Sequence, residues 1–181
     1  MGGRQLCDAK ATQAAIEQLA RDVVDRGGLD GLAVIGIRRR GVPIAQRMVA
    51  AIEKERGRRP LMGALDITLY RDDLTLVAAQ PVVSGTEIDF PVEGKRIVLV
   101  DDVLFTGRTV RSAIDALIDL GRPAKIELAV LVDRGWRELP IEANYAAHRI
   151  ETTIREVVKV HVAEVDGADH IDIVEMAGSV K

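Results

Sequence analysis

Short apolar runs alternate with helix-patterned segments along most of the chain, and this alternation constrains the fold more than any other feature. Leu32 to Ile37, Ile97 to Val100 and Ile126 to Val132 are predicted to be buried strands, and Leu61 to Tyr70 is a further strand candidate. Buried strands that alternate with helices pair in parallel through right-handed crossovers. Such sheets bind ligands at the carboxyl ends of their strands. The pattern therefore predicts an α/β fold with a site formed by the loops after the strands.

The helices between these strands are marked by capping residues and by apolar faces. The first is predicted to start at Asp8, a capping residue, and to end at Gly27 and Gly28. The second starts near Pro43, because proline is tolerated in the first turn of a helix. The third covers Thr109 to Leu120. Each lies between two predicted strands or before the first, as a parallel sheet requires.

The remaining segments complete one domain. The chain has 181 residues and is 48% hydrophobic, so it can bury one sizeable core, and we predict a single domain over residues 1–181. The polar stretch from Arg71 to Glu93 is expected to form an excursion with a hairpin around Gly85. Val157 to Val162 and Ile171 to Val174 are expected to close the fold as an antiparallel pair.

Bulk charge and composition exclude some functions. The net charge of -3 provides no global attraction to nucleic acid, so a polyanion would need a local basic cluster. Cys7 is the single cysteine and cannot form an internal disulfide, which is typical of a reducing compartment. No apolar run approaches the roughly 18 residues of a membrane span, and the first ten residues lack a signal core. We expect a cytoplasmic protein with no membrane partner.

One segment carries the features of a phosphate site. Asp101 and Asp102 follow an apolar strand, and a turn with Thr106 and Gly107 leads into the helix at Thr109. Free backbone N–H groups and the helix dipole attract a phosphate there, while two carboxylates accept hydrogen bonds from vicinal sugar hydroxyls. An isolated acid pair would more simply cap a turn, but the preceding strand and the following Thr-Gly-Arg-Thr favour binding of a phosphorylated ribose.

Val98 to Thr109 resembles the 5-phosphoribosyl pyrophosphate (PRPP) motif of type I phosphoribosyltransferases. Together with Leu65 to Leu74 and Leu131 to Pro140, it resembles the PyrR family of pyrimidine operon regulators that are also uracil phosphoribosyltransferases. The resemblance extends from the first helix nearly to the C-terminus. It implies the type I phosphoribosyltransferase fold, which has a mostly parallel central sheet flanked by helices, a flexible lid and a small hood.

The resemblance also implies a role for each part of the site. The loop from Gly36 to Gly41 would bind pyrophosphate, Asp101 and Asp102 the ribose hydroxyls, and Thr106 to Thr109 the 5-phosphate. Val132, Asp133 and Arg134 would form the hood over uracil. The implied PRPP- and nucleotide-binding residues are Arg38, Arg39, Arg40, Gly41, Asp101, Asp102, Val103, Leu104, Phe105, Thr106, Gly107, Arg108 and Thr109. Mg²⁺ would accompany PRPP without direct protein ligands, because this cation keeps several waters.

The implied reaction matches these residue types. Loss of pyrophosphate develops positive charge on the sugar and negative charge on the leaving group, which suits acids beside the ribose and arginines beside the phosphates. We predict Asp101, Asp102 and Arg71 as catalytic residues, with Arg71 reaching the leaving phosphates when the lid closes. The alternative for Arg38 to Arg40 is a solvated basic turn. Arg39 also departs from the family, which usually has threonine there.

Phe105 bears on the choice of base. Purine-specific members of the superfamily generally have an acid at this position, which serves the purine N7, and an aromatic ring cannot replace it. Phe105 therefore supports uracil, although the PyrR family more often has tyrosine there, and the ring could also belong to the core. A phosphoribosyltransferase with another base specificity is the alternative.

The resemblance further implies that uridine nucleotides (UMP or UTP) promote binding to pyrimidine-operon mRNA. The chain departs from the family here, with Glu17 in place of threonine and Trp136 in place of histidine. Two interpretations stay open, an RNA-facing surface and ordinary soluble basic residues; a regulator with little catalysis is a further alternative. The candidate RNA-binding residues are Arg21, Arg26, Trp136, Arg137 and Arg149. The family also implies a homo-oligomer, a dimer or tetramer.

The three histidines are assigned no chemistry. His148, His161 and His170 are dispersed in the sequence, so no metal site is predicted from them.

Overall fold

A computed structural model describes residues 3–70 and 85–176. Its elements are five strands in one sheet, three strands in a second, and four helices. In chain order they are β1 (Gly3–Cys7), α1 (Ala9–Gly27), β2 (Leu32–Ile37), α2 (Gly41–Arg56), β3 (Leu61–Leu65), β4 (Arg96–Leu104), α3 (Arg108–Leu120), β5 (Lys125–Asp133), β6 (Tyr145–Arg149), β7 (Glu156–His161), α4 (Ala163–Asp166) and β8 (His170–Glu175).

The main sheet is parallel, with strand order β3-β2-β4-β5-β6. Its strands β2 and β4 are almost wholly buried because apolar residues cover both faces. One core lies against α1, α2 and the second sheet, and the other lies against α3. This confirms the predicted α/β architecture. No helix within the described part of the chain is both long and apolar enough to span a bilayer.

The second sheet, hereafter the small sheet, is antiparallel with strand order β1-β8-β7. The pairing of β7 with β8 was predicted, and the short helix α4 joins them. Strand β1 was not predicted, because three of its five residues are exposed and only Cys7 is buried. β6 was also missed, as it is short and follows a segment without helical periodicity.

Two predicted boundaries are wrong, both at the carboxyl edge of the main sheet. The strand expected to reach Tyr70 ends at Leu65, because Asp66 Oδ1 accepts hydrogen bonds from Thr68 N at 2.8 Å and Thr68 Oγ1 at 2.5 Å and turns the chain. The strand expected to end at Val100 runs on to Leu104. The acid pair, Asp101 and Asp102, therefore lies within β4 and takes its rigidity from the sheet.

Candidate active site

The acid pair lies at the carboxyl end of the central strand of the main sheet. Asp101 is 8% exposed. Its Oδ1 accepts a hydrogen bond from Asp102 N at 2.9 Å, and Asp102 Oδ1 accepts one from Val103 N at 2.8 Å. These local bonds fix both carboxylates against their own backbone, where both line the cleft described below.

Burial raises the pKa of both carboxyls. For Asp101 the desolvation is reinforced by the charge of Asp102, and the pKa lies well above the ordinary range. For Asp102 burial also has the largest effect, partly offset by hydrogen bonds and by the positive charge of Arg40. Neither acid has an ion-pair partner within 4.0 Å among the described residues. Such a pair is stabilised when hydroxyl donors or a cation approach it.

The basic loop, Arg38 to Arg40, follows β2 and faces the acid pair across a cleft. The Arg38–Arg39 peptide bond is cis. Arg38 Nε donates to Gly85 O at 2.8 Å, and its Nη2 lies 2.8 Å from Glu87 Oε1. Arg39 is exposed and makes no hydrogen bond or ion pair with any other residue of the described ranges. Of the three arginines, Arg39 is the one whose charge is available to a ligand.

Arg40 is bound to α4, the short helix that joins two strands of the small sheet. Its Nε donates to Asp166 Oδ2 at 2.9 Å and its Nη2 to Asp166 Oδ1 at 2.8 Å. Asp166 Oδ2 also accepts a hydrogen bond from Val162 N at 2.9 Å. The bidentate bond from Arg40 holds the pKa of Asp166 far below its usual range. Arg40 thus positions the basic loop, with part of its charge already neutralised.

Two glycines let the basic loop approach β4. A Cβ atom on Gly41 would lie 2.3 Å from Val100 O, and one on Gly36 would lie 2.5 Å from Gly41 O. No other residue fits these positions without moving the backbone. The sequence-predicted role of Gly41 in the site is therefore steric, since it sets the distance between the basic loop and the strand that carries the acids.

The phosphate turn, residues 106–109, opens α3. Gly107 precedes the helix with a φ of 92°, a conformation that favours glycine. Thr106 Oγ1 accepts a weak hydrogen bond from Arg108 N at 3.4 Å, and Thr106 O accepts hydrogen bonds from Glu138 N and Leu139 N. Arg108 Nε contacts Glu138 Oε2 at 2.6 Å. The turn is held by the chain after β5, and its N–H groups lie at the positive end of a 13-residue helix.

A cleft of about 360 Å³ joins these parts. It brings together the basic loop, the acid pair and Thr109, as predicted. It also includes the turn after β3, whose residues were not among the predicted site residues. The lining residues are Arg38, Arg39, Arg40, Asp66, Ile67, Thr68, Asp101, Asp102, Val103 and Thr109. The sequence signal that could have identified this turn is the Asp-x-Thr spacing of Asp66 and Thr68, because such residues form tight polar turns.

Some predicted binding residues have their side chains in the core. Leu104 is 1% exposed, so only its backbone is available to a ligand. The same holds for Val132, which is fully buried near the end of β5. The residues Val132, Asp133 and Arg134 lie at the carboxyl end of this main-sheet strand and not in the small sheet. Asp133 accepts a hydrogen bond from Arg137 Nη2.

Arg134 and Phe105 pack together beside the phosphate turn. The Arg134 guanidinium carbon lies 4.2 Å from the centroid of the Phe105 ring. Arg134 is 5% exposed, its Nη2 donates to Thr153 O at 3.3 Å, and its Nε has no hydrogen-bond partner. Desolvation lowers the pKa of its guanidinium. The Phe105 ring therefore packs against a buried cation.

The candidate RNA-binding residues each make hydrogen bonds within the protein. Arg26 donates to Asn144 O at 3.2 Å and Arg149 to Ala143 O at 3.0 Å, so these two converge on the segment before β6. Arg21 contacts Gln18 on α1. Trp136 is 49% exposed and donates its indole N–H to Thr152 O at 2.8 Å.

Arg137 belongs to the fold of the loop that covers the phosphate turn. Its guanidinium donates to Ile141 O, Phe105 O and Gly135 O and to the Asp133 carboxylate. These four hydrogen bonds hold its side chain within the protein, and its role in RNA binding stays a prediction. Arg71, the predicted catalytic arginine, and the start of the predicted excursion lie outside the described residues.

Comparisons with known proteins agree with this geometry. The family described as Phosphoribosyl transferase domain matches residues 3–164. The chain is 51% identical to "Bifunctional protein PyrR" of Pelotomaculum thermopropionicum over 174 residues, which are 96% of each chain. It is 51% identical to the protein of the same name from Thermus aquaticus over 176 residues, 97% of each chain.

Solved structures show the same fold at much lower identity. The hypoxanthine phosphoribosyltransferase of Trypanosoma cruzi superposes with a TM-score of 0.69 at 16% identity, over 95% of this chain and 96% of that one. A hypoxanthine phosphoribosyltransferase from Staphylococcus aureus gives 0.67 at 18% identity, over 93% and 90%. At this identity the likeness establishes the type I phosphoribosyltransferase fold and not the base that is bound.

Proposed function

The chain belongs to the phosphoribosyl transferase domain family and, within it, to the family of bifunctional PyrR proteins, and from this premise we propose that it forms UMP and pyrophosphate from uracil and PRPP. The observation that carries the proposal is the cleft itself. A buried acid pair faces an arginine-rich loop, and a helix N-terminus adjoins both. PRPP carries ribose hydroxyls, a pyrophosphate group and a 5-phosphate, which match the acid pair, the arginine-rich loop and the helix N-terminus in turn.

The residues act through electrostatics and position. The free carboxylate oxygens of Asp101 and Asp102 accept the ribose hydroxyls and stabilise the positive charge that develops on the sugar ring. Arg39 meets the leaving pyrophosphate, while Arg40 fixes the loop that carries it. The N–H groups of residues 106–109 bind the 5-phosphate. Because the sheet and the Arg40–Asp166 bond preorganise these groups, little rearrangement is needed when PRPP binds.

Mg²⁺ fits this site as a companion of PRPP. Two buried carboxylates with raised pKa values and no cationic partner form an oxygen-rich, negatively charged edge of the cleft, which suits a hard cation. Asp101 and Asp102 would hold it through hydroxyls or waters. Its charge would offset that of the leaving pyrophosphate.

Uracil is the base that the residues beside the phosphate turn favour. Phe105 is covered on one face by the buried Arg134 guanidinium, so a purine N7 would meet no carboxylate at this position. Discrimination should therefore show in a panel of bases. We expect turnover with uracil to exceed that with orotate, hypoxanthine and guanine by at least about 100-fold.

UMP formation from uracil and PRPP with Mg²⁺ tests the proposal. The wild-type chain should produce UMP, and Asp102→Asn should lose most of the rate while keeping its fold by circular dichroism. A native wild-type chain that makes no UMP, or an Asp102→Asn variant with unchanged turnover, would reject the catalytic assignment. A purine used faster than uracil would reject the base assignment alone.

Arg71 enters the proposal through its sequence position, three residues after Thr68, which lines the cleft. Tyr70 is anchored on α3, since its hydroxyl hydrogen-bonds Asp119 Oδ2 at 2.7 Å and its carbonyl accepts from Ser112 Oγ at 3.0 Å. The segment that follows thus starts from a fixed point. Arg71→Ala should reduce pyrophosphate release, and an unchanged rate would remove Arg71 from the mechanism.

We further propose that the chain regulates pyrimidine genes by binding mRNA when a uridine nucleotide is bound. The support is the bifunctional family together with the exposed cations Arg26 and Arg149 and the exposed ring of Trp136. Filter binding against a pyrimidine-operon leader, with and without UMP, tests this. Retention equal to that of a scrambled RNA would leave the enzyme without the RNA role.

The family premise extends to assembly, for which we propose a homodimer or a tetramer. Ile118 and Leu120 expose large apolar side chains on α3, which is typical of a surface that another subunit covers. Light scattering of the purified chain would measure its mass, and a monomer at micromolar concentration would contradict the assignment.

A further inference from the structure

Two histidines that are nine residues apart in sequence face each other on the small sheet. His161 of β7 and His170 of β8 are register partners across the antiparallel pair. Their rings stack with centroids 4.1 Å apart and an interplanar angle of 11°. Asp172, two residues further along β8, places its Oδ2 3.4 Å from His170 Nε2. The two histidines are dispersed in the sequence, but the antiparallel pairing of β7 and β8 brings them together.

The backbone holds the three side chains on one surface. Successive residues of a strand point to opposite faces. In β7 and β8 the alternate residues Val158, Val160, Ile171 and Ile173 are buried. His161, His170 and Asp172 therefore project from the opposite face, where each is half-buried. Cross-strand pairing fixes their spacing without any help from a flexible loop.

The donor set and its spacing suit a divalent transition metal. One ligand atom from each of the three residues lies within 4.8 Å of the other two, and within residues 3–70 and 85–176 no other set of three His, Cys, Asp or Glu side chains meets this condition. A tetrahedral Zn²⁺ ion with bonds of about 2.0–2.1 Å separates its ligand atoms by about 3.3 Å. The His170–Asp172 distance of 3.4 Å already matches, and the other two pairs of ligand atoms, which lie within 4.8 Å, would approach this spacing by rotation of the imidazole rings.

We propose that His161, His170 and Asp172 bind a divalent transition metal of the Zn²⁺ class. Two imidazoles and a carboxylate favour such ions over Mg²⁺ and Ca²⁺, which take oxygen ligands. Three protein ligands leave one position for water. The site is separate from the acid pair of the cleft and needs neither PRPP nor uracil.

The surrounding charges both oppose and support this assignment. Lys159 lies opposite Asp172 in the register of β7, and its charge weakens the attraction for a cation. Asp166 is close enough to His161, and Asp169 to His170, for their charges to interact, although both acids are also bound to arginines.

A Co²⁺ titration of the full chain without PRPP tests the site, because four-coordinate Co²⁺ absorbs visible light. We expect one equivalent to bind with these bands, and Zn²⁺ to displace it. His161→Gln and Asp172→Asn should each weaken Co²⁺ binding at least about tenfold. His148→Gln is the matched control, since His148 lies on β6 beside Cys7 and should leave the affinity unchanged.

Thermal unfolding of the metal-free proteins shows whether the variants are folded. In the wild type alone, Zn²⁺ should shift the ring proton signals of two histidines and leave the third in place, which tests the site even if a variant does not fold. Co²⁺ affinity that is equal in wild type and His161→Gln would overturn the proposal. So would the lack of any visible band with a large excess of Co²⁺.

Discussion

The acids at the carboxyl end of β4 and those around α4 show opposite uses of a carboxylate. Asp101 and Asp102 are buried and make no ion pair with any residue that the structure describes, and burial raises the pKa of both. Asp166 is bound to Arg40, and its pKa lies below the ordinary value. The hydrogen bond from Arg47 lowers the pKa of Glu164. At Asp169 burial raises the pKa, but the hydrogen bonds from Arg47 and from Ala163 N, together with the charge of Arg47, more than offset burial, so the pKa is lowered.

This difference in pKa separates the acids that are available for ligand binding from the acids that stabilise the fold. A carboxyl whose pKa is raised by folding destabilises the protein once it ionises, and a carboxyl whose pKa is lowered stabilises it. The acid pair therefore lowers stability in the empty cleft and is compensated only when a ligand arrives. The acids around α4 stabilise the protein near neutral pH whether or not a ligand is bound, and Asp166 holds Arg40 of the basic loop opposite that pair.

The largest expected effect is on turnover at the acid pair. Asp101→Asn removes one of the two charges that stabilise the sugar cation, so kcat/KM for UMP formation should fall about 100-fold or more. Asp30→Asn is the control, because Asp30 is 98% exposed and pairs only with the exposed Arg58. Equal losses in both variants would show that the acid pair has no special role.

The next largest effect is expected at Arg39, which makes no hydrogen bond or ion pair with any residue that the structure describes. Arg39→Ala should raise the KM for PRPP roughly tenfold, the effect of losing one charged hydrogen bond to the pyrophosphate. Its unfolding midpoint should not change, because Arg39 has no partner in the described part of the fold. Arg58→Ala removes another exposed arginine far from the cleft. A KM that responds equally to both changes would contradict the assignment.

A smaller effect is expected where an α4 acid holds the basic loop. Asp166→Asn keeps the shape but loses the bidentate ion pair, so the midpoint of thermal unfolding should fall by about 2–4 °C, and the KM for PRPP should rise about threefold. Steady-state kinetics and calorimetry measure the two quantities. Asp25→Asn, which removes an exposed ion pair with Arg56, should change neither. If the KM is unchanged while the midpoint falls, Asp166 has only a structural role.

The smallest expected effect is the pH dependence of the stability that Asp166→Asn removes. The stabilisation from a carboxyl with a lowered pKa is complete above the ordinary value near about 3.9 and disappears as pH falls through the folded-state pKa. The difference in unfolding free energy between wild type and Asp166→Asn should therefore be constant from about pH 7 to pH 5 and should narrow toward pH 3. Urea titrations at these pH values measure it, and a difference that widens in acid would contradict the ion pair.

Local patterns predicted the parts of the molecule that local forces determine. The start of α1 at Asp8 and its end near Gly28 follow from capping, and the buried β2 follows from an apolar run. The phosphate turn was also predictable, because its residues are contiguous. Strand β1 was not, since its pairing with β8 joins opposite ends of the chain and only one of its side chains is buried.

The partners of the site's charges could not be predicted for the same reason. The Arg40–Asp166 bond and the His161–His170 pair depend on how β7, α4 and β8 return to the main sheet. A charge run such as Arg38 to Arg40 gives no information on which arginine is already paired. The structure distinguishes them, and among the residues that it describes Arg39 alone of the three makes no ion pair with an acid.

Thermal unfolding of ligand-free Asp101→Asn at about pH 8 tests the central claim most directly. The substitution removes a buried charge and keeps an oxygen that can accept the hydrogen bond from Asp102 N. If the acid pair is held in place for its ligand at the expense of the fold, the variant should unfold at a higher temperature than wild type although it makes far less UMP. A variant that unfolds at a lower temperature would show that Asp101 stabilises the fold and would contradict the account.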